Sequence, residues 1–281
     1  MIKWVLLSFL TLLGFVLFSI GWGFNILAPN KVTNSIGMSF VRIPAGTVQI
    51  GPPSDEDDFY AYSRQKRMTK VDSFYIGTYE VTQAQYETIM GENPSYFRGD
   101  RIAIRDHTGH AINFLAHLNY PVENVSWDHA IEFCRRLSER PQEVEAGRYY
   151  TLPTEIQWEY ACRAGSRDPY SFGDNPKHLA EFAWFRDNSL GLTHPVGKKK
   201  RNAWGLYDMH GNVSEWCLDS YPFPEQETDD QATAFNKTDL RIYRGGNWYV
   251  EAELCRADAR DWENRSYKLA MGFRVAMLLK K

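Results

Sequence analysis

Residues 202–217, NAWGLYDMHGNVSEWC, hold the densest run of groups in this chain that can do chemistry. Asp208, Gly211, Val213 and Glu215 alternate around a glycine-containing bend. Such a bend can turn two carboxylates and two backbone carbonyls inward. Hard oxygen donors of that kind suit Ca²⁺, which accepts irregular geometry. The alternative is that Asp208 and Glu215 cap a tight turn or pair with arginine. Downstream, Arg244, Arg256, Arg260, Arg265 and Arg274 are interspersed with Trp248, Trp262 and Tyr267. A set like that can line a groove for a peptide or an anionic ligand, with Asn247, Trp248, Arg256 and Arg260 as the ligand-binding candidates. It can equally fasten loops by bonding carbonyls. Four cysteines, Cys134, Cys162, Cys217 and Cys255, include no C-x-x-C pair, so zinc-ribbon chemistry has no support. No G-x-S-x-G is present on which to build a nucleophile elbow.

These residues need elements to position them. Residues 37–51 read as a strand pair, and residues 55–70, charged and without period, as an exposed loop. Residues 71–80 alternate again, as a half-buried strand does. Thr82 with Gln85 makes a capping box that opens a short helix, which Gly91 can close. Ser126 suits an N-cap for a helix over 127–139, with Ala130, Ile131, Cys134 and Leu137 on one face. Thr154 with Gln157 makes a second capping box, for a helix through Arg163 that Gly165 ends. Beyond Gly165 the chain is punctuated by aromatics and glycines, with no long helical period, until a last strand over 272–279.

The chain has 281 residues, and no Pro/Ser/Gly-rich linker divides it, so one main domain is expected. Nine Trp, 16 Tyr and 16 Phe supply a substantial core. A formal charge of -3 argues against nucleic acid as a partner. Residues 4–24 are almost wholly apolar and uncharged, enough to cross a bilayer as a helix. Lys3 and the N-terminus give the positive flank of an N-in, C-out signal anchor. A cleaved signal peptide is the competing reading, although residues 19–29 offer no A-x-A-like site. Either reading places the globular part outside the cytoplasm, periplasmic or extracellular. The expected layout is a cytoplasmic N-terminus at 1–3, a membrane anchor at 4–24, a linker at 25–35 and the domain at 36–281. The cysteines would then face an oxidising compartment. Cys217 and Cys255 can form a disulfide there, remain free thiols, or approach as a metal-binding pair.

Several segments fall in the order found in a known family: Gly37-Met-Ser-Phe-Val-Arg-Ile-Pro-Ala-Gly, Glu80-Val-Thr, Pro121-Val-Glu-Asn-Val-Ser-Trp, Leu152-Pro-Thr-Glu-Ile-Gln-Trp-Glu-Tyr-Ala, the 202–217 segment, Arg244-Gly-Gly-Asn-Trp and Gly272-Phe-Arg-Val. The chain resembles the formylglycine-generating enzyme (sulfatase-modifying factor) family from about Ile36 to Ala276. The resemblance implies an α+β fold, a loop-rich variant of the C-type lectin fold. It implies Ca²⁺ held by the side chains of Asp208 and Glu215 and the carbonyls of Gly211 and Val213.

Active members oxidise a cysteine of sulfatases with O₂ at a copper ion held by two thiolates. Here the second of those positions is Cys255, the catalytic candidate for an oxidase, but the first is Val250. Asn247 stands where the family has Ser. Without that first thiolate, the expected function is a membrane-tethered module that binds a protein or other ligand, with the sulfatase-modifying oxidase as the rival. The family's disulfide partners for Cys134 and Cys162 fall on Val275 and Arg260, so both are expected as buried free thiols. Residues 98–120 are an insertion relative to the family, with His107, His110 and His117 as either a metal site or scattered surface histidines.

Overall fold

The computed structural model describes residues 30–50, 67–98, 119–221 and 238–280. The apolar run at 4–24, most of the stretch at 55–70 and the three histidines of the insertion lie outside the described residues. Among those described, no helix is long and apolar enough to cross a membrane.

Three sheets and a few short helices make an α+β architecture. A five-stranded sheet has the order β1 (Lys31–Thr33), β2 (Ser39–Ile43), β5 (Phe74–Gly77), β11 (Ala276–Leu279), β6 (Arg148–Thr151). Its pairs are all antiparallel, with β5 in the centre and the last strand, β11, held between β5 and β6. A second sheet runs β10 (Met271–Gly272), β7 (Ser214–Ser220), β8 (Leu240–Arg244), β9 (Arg260–Asn264). A two-stranded ribbon pairs β3 (Gly46–Ile50) with β4 (Arg67–Val71). The expected pair over 37–51 is therefore two strands of different sheets: Pro44 and Ala45 break the ladder, and each strand finds its partner elsewhere. Residues 67–70, expected as loop, belong to β4. Residues 31–33, expected as linker, are the edge strand β1.

Both capping boxes form. Thr82 opens α1 (Gln83–Met90), which Gly91 closes in the left-handed region at φ 82°. Thr154 opens α4 (Glu155–Arg163), where Ala164 rather than Gly165 is the left-handed cap. Ser126 caps α2 (Trp127–Ser138), which buries Ala130, Phe133, Cys134 and Leu137 against the five-stranded sheet. Short turns, α3 (Pro141–Glu145) and α5 (Leu179–Phe182), complete the helices among the described residues.

The core has two main bodies. One joins α2 to Phe40, Tyr150, Phe273 and Met277; the other joins α4 to Ile43, Ile76, Leu206 and Ile242. Tyr86, Phe133 and Phe273 form one aromatic set, with Tyr86 and Phe133 stacked at 5.8 Å.

Candidate functional site

The site is framed by charge that the fold has taken out of water. Arg244, at the end of β8, has no exposed side-chain surface. Its guanidinium binds Glu159 of α4 and donates to the carbonyls of Asp258, Ala259 and Ala257. Arg260 makes two bonds to Glu155 at 2.7 and 3.0 Å, and Arg256 pairs with Asp258 at 3.0 Å. Arg265 pairs with Asp128 of α2. A buried arginine is tolerated only when paired and saturated with acceptors, and here the acceptors are the loop carbonyls themselves. The structure thus favours the loop-fastening reading of this arginine set. Of the two expected to bind ligand, Arg256 pairs within its own turn and Arg260 ties the start of β9 to α4.

On this frame the chain turns at Gly245 and Gly246, with φ of 98° and 68°. A side chain at 246 would place its Cβ 2.6 Å from the Cys255 sulfur, so glycine permits the close approach. Asn247 follows, buried, donating to Ser214 Oγ at 3.0 Å and accepting from the Tyr249 N–H at 3.1 Å. Its role here is to pin the loop to β7.

Trp248 is half-buried between the edge of Phe97 (5.1 Å) and Tyr249 (4.9 Å), and Tyr96 extends the row from Phe97 at 5.2 Å. Tyr96 and Tyr249 are 60% and 41% exposed, so the row opens to solvent at both ends. The indole N–H groups of Trp248 and Trp184 are buried and find no partner among the described residues. Trp184 stacks on His194 at 3.7 Å, with the Lys199 ammonium 3.7 Å from its ring centre. Unpaired buried donors carry a cost that an acceptor on a ligand or a water would remove.

Cys255 has no exposed surface and lies in an apolar cluster with Tyr170, Leu179, Ala183 and Phe185. Val250 packs against the same cluster. Sequence position and packing therefore agree: the residue standing where the first copper thiolate would be is a hydrocarbon beside Cys255. Burial pushes the Cys255 thiol up, well away from the thiolate a copper ion needs. These residues do not fit a two-thiolate copper ion. All four cysteines are free and buried, Cys134 and Cys162 as expected, and Cys217 lies in a different cluster from Cys255.

His210, which sequence reasoning passed over, bridges these parts. Its Nε2 accepts from the Ser171 N–H at 3.1 Å, so the proton sits on Nδ1 and is donated to the Cys255 carbonyl at 2.8 Å. Burial lowers its pKa to about 4, and the ring is neutral at pH 7.

The oxygen-rich bend divides. Glu215 gives both carboxylate oxygens to Arg274, each at 2.6 Å, and one also accepts from Trp158 Nε1 at 2.7 Å. Gly211 lies against the Trp184 carbonyl, and the Val213 N–H donates to Glu80 Oε1 at 3.1 Å. Asp208 sits in the left-handed region at φ 59°; its Oδ2 accepts from the Gly197 N–H at 2.7 Å, and its Oδ1 is buried without a partner. Burial raises Asp208 to about 6, and burial with the charges of Asp208 and Glu215 holds Glu80 well above the usual carboxylate range. Asp208 thus fits a cation, because it has an orphaned oxygen amid surplus buried acid. Glu215 fits one only if Arg274 lets go. Among the described residues no group of three or more His, Cys, Asp or Glu side chains is arranged to hold a metal.

The sulfatase-modifying factor enzyme 1-like domain model matches residues 26–279. The chain belongs to the formylglycine-generating enzyme (sulfatase-modifying factor) family. Among its relatives, the chaperone protein LppX of Paenibacillus barcinonensis is 31% identical over 221 residues, covering 62% of this chain and 69% of that protein. The formylglycine-generating enzyme of Mus musculus is 26% identical over 289 residues, covering 84% and 74%. Treponema denticola variable protein 1 superposes with a TM-score of 0.70 at 27% identity, covering 89% of this chain and 99% of that one. The family member described here thus shares its fold with proteins that carry different names for their roles.

Proposed function

We propose that this family member is a membrane-tethered, extracytoplasmic module that binds a protein or peptide ligand and does not perform copper-dependent cysteine oxidation. One observation carries the reading: Val250, aligned by the family resemblance with the first thiolate, is a hydrocarbon packed against the cluster that holds Cys255. The finer fold expected for the domain is the C-type-lectin-like variant. Its ligand surface would be the aromatic row Tyr96–Phe97–Trp248–Tyr249, entered from the exposed rings of Tyr96 and Tyr249. Aromatic rows of this kind supply large contact area at low conformational cost. A relative named as a chaperone is consistent with a binding role. A structural Ca²⁺ anchored on Asp208 belongs to the same proposal, supported by the orphaned Oδ1.

The test is direct. Full-length protein is titrated with Cu(I) under reducing conditions, then given O₂ and a sulfatase-type cysteine peptide. The expected result is no tight 1:1 copper complex and no formylglycine. Product above that of a Cys255→Ala control would restore the oxidase reading. Val250→Cys is expected to gain copper affinity before it gains turnover, since Asn247 still replaces a hydroxyl.

A further inference from the structure

The strand register of the five-stranded sheet gathers one end of the molecule. Asn30, where the described chain begins, accepts from the Arg42 N–H at 2.9 Å and so lies level with Arg42 on β2. Ile43 then pairs with Phe74 across β2 and β5, and β11 continues past its Met277–Tyr75 pair to Leu278 and Leu279. Leu278 pairs with Tyr149 and Leu279 with Arg148 on β6, and the Lys280 N–H donates to the Gly147 carbonyl. Chain entry, the Pro44–Ala45 turn and the 278–280 end therefore share one rim.

That rim is unusually apolar for a surface. Leu278, Leu279 and Tyr149 are 41%, 47% and 49% exposed, Val144 of α3 is 52% exposed, and Pro44 and Ala45 are exposed. Lys31 and Lys280 are exposed beside them, and Arg42 is half-exposed with a long contact to Ser73. Arg148 is partly engaged by Glu143, while Asp72 and Glu145 are the exposed acids of the rim. Apolar side chains flanked by cations form the composition that sits at a lipid–water boundary.

The length of chain before the rim says what covers it. If residues 4–24 span a bilayer, six residues, 25–30, join the span to β1. At 3.3–3.6 Å per residue they reach at most about 20 Å. We propose that this end of the sheet, with Leu278, Leu279, Tyr149, Lys31 and Lys280, rests on the bilayer surface. The inference rests on the anchored reading of residues 4–24. Its consequence is orientation. The chain runs from Arg274, which grips Glu215 of β7, through β11 to Leu279. Five residues at about 3.3 Å lift Arg274 roughly 17 Å off the lipid. The Trp248 row, carried on the β7–β8 sheet, then faces away from the membrane.

The experiment uses full-length protein in liposomes of phosphatidylcholine with phosphatidylglycerol. An environment-sensitive dye is attached at Leu279→Cys, at Tyr149→Cys as a second rim position, and at Leu190→Cys, which is 64% exposed in the loop that bonds the Trp248 carbonyl. The native thiols are buried and stay unlabelled. Rim dyes should blue-shift and be quenched by nitroxide-headgroup lipids at least threefold more than the dye at 190. Equal quenching in chains that float with the vesicles overturns the docked orientation while leaving the anchor intact. Chains that fail to float overturn both. A blue shift that grows with protein concentration without headgroup quenching assigns the rim to a protein contact and also overturns the proposal.

Discussion

Glu123 provides the sharpest test of how this fold holds its polar groups. It follows Pro121-Val122, is 2% exposed, and its Oε1 accepts from the Phe97 N–H at 2.8 Å. Its own N–H donates to Ser95 Oγ at 3.2 Å, so it fastens the turn that carries the aromatic row. Burial raises its pKa from 4.5 to about 7, against the opposing pull of the Phe97 and Tyr96 N–H groups. A folded pKa above the unfolded one means that the folded state holds the proton more tightly. The stabilising contribution is full below about pH 4.5 and is lost as pH rises through about 7. A shift of some 2.5 units, at 1.36 kcal/mol per unit, makes the loss about 3 kcal/mol. Glu123→Gln keeps an acceptor for Phe97 and removes the titration. Urea unfolding of both proteins from pH 4.5 to 8 isolates the effect, because other groups cancel in the difference. The wild-type advantage over the variant should shrink by about 3 kcal/mol across that range. A difference flat to within about 0.5 kcal/mol, or one growing with pH, would refute the reasoning.

Three further outcomes follow from the site. Gly246→Ala puts a methyl group 2.6 Å from the Cys255 sulfur and 2.9 Å from the Leu254 carbonyl at a left-handed φ, and should cost about 2 kcal/mol or more in urea unfolding. A thiol reagent should leave the native protein untouched and titrate all four cysteines after denaturation, whereas two missing thiols would reveal a disulfide. If Asp208 anchors Ca²⁺, adding it at a hundredfold excess over Kd raises stability by about 2.7 kcal/mol, and Asp208→Ala abolishes the shift. A wild-type melting temperature indifferent to calcium and chelator removes the ion from the account.

What the sequence revealed and what it hid have separate physical causes. Caps are local: Thr82–Gln85, Ser126 and Thr154–Gln157 each act within three residues, and all three formed where expected. Strands of the second sheet were illegible because their inward positions are charged. Arg241, Arg244 and Glu215 do not read as core strand positions until partners such as Glu159 for Arg244 and Arg274 for Glu215, 85 and 59 residues away, neutralise them. The partner of Arg260, Glu155, is 105 residues away, and for Arg256, whose partner Asp258 is two residues on, spacing alone does not distinguish a groove-lining guanidinium from a loop fastener. β1 escaped notice because three residues carry no period, and their strand character comes wholly from pairing with β2. His210 had a visible signal, a lone imidazole between Met209 and Gly211 in the bend, but its function as a neutral link between Ser171 and Cys255 needs the folded neighbours.

The arrangement around Cys255 does not depend on a metal for its shape. The loop is held by contacts that do not involve copper: Arg244 on the 257–259 carbonyls, Asn247 on Ser214, His210 on the Cys255 carbonyl. None of them uses a thiolate. A protonated cysteine packs as a small apolar residue, so Cys255 fills its cluster whether or not a metal is ever bound there. Val250 serves equally well as a wall of the same cluster. A valine at position 250 therefore leaves the frame intact, and on the proposed reading that frame would hold the Trp248 row in place for a ligand.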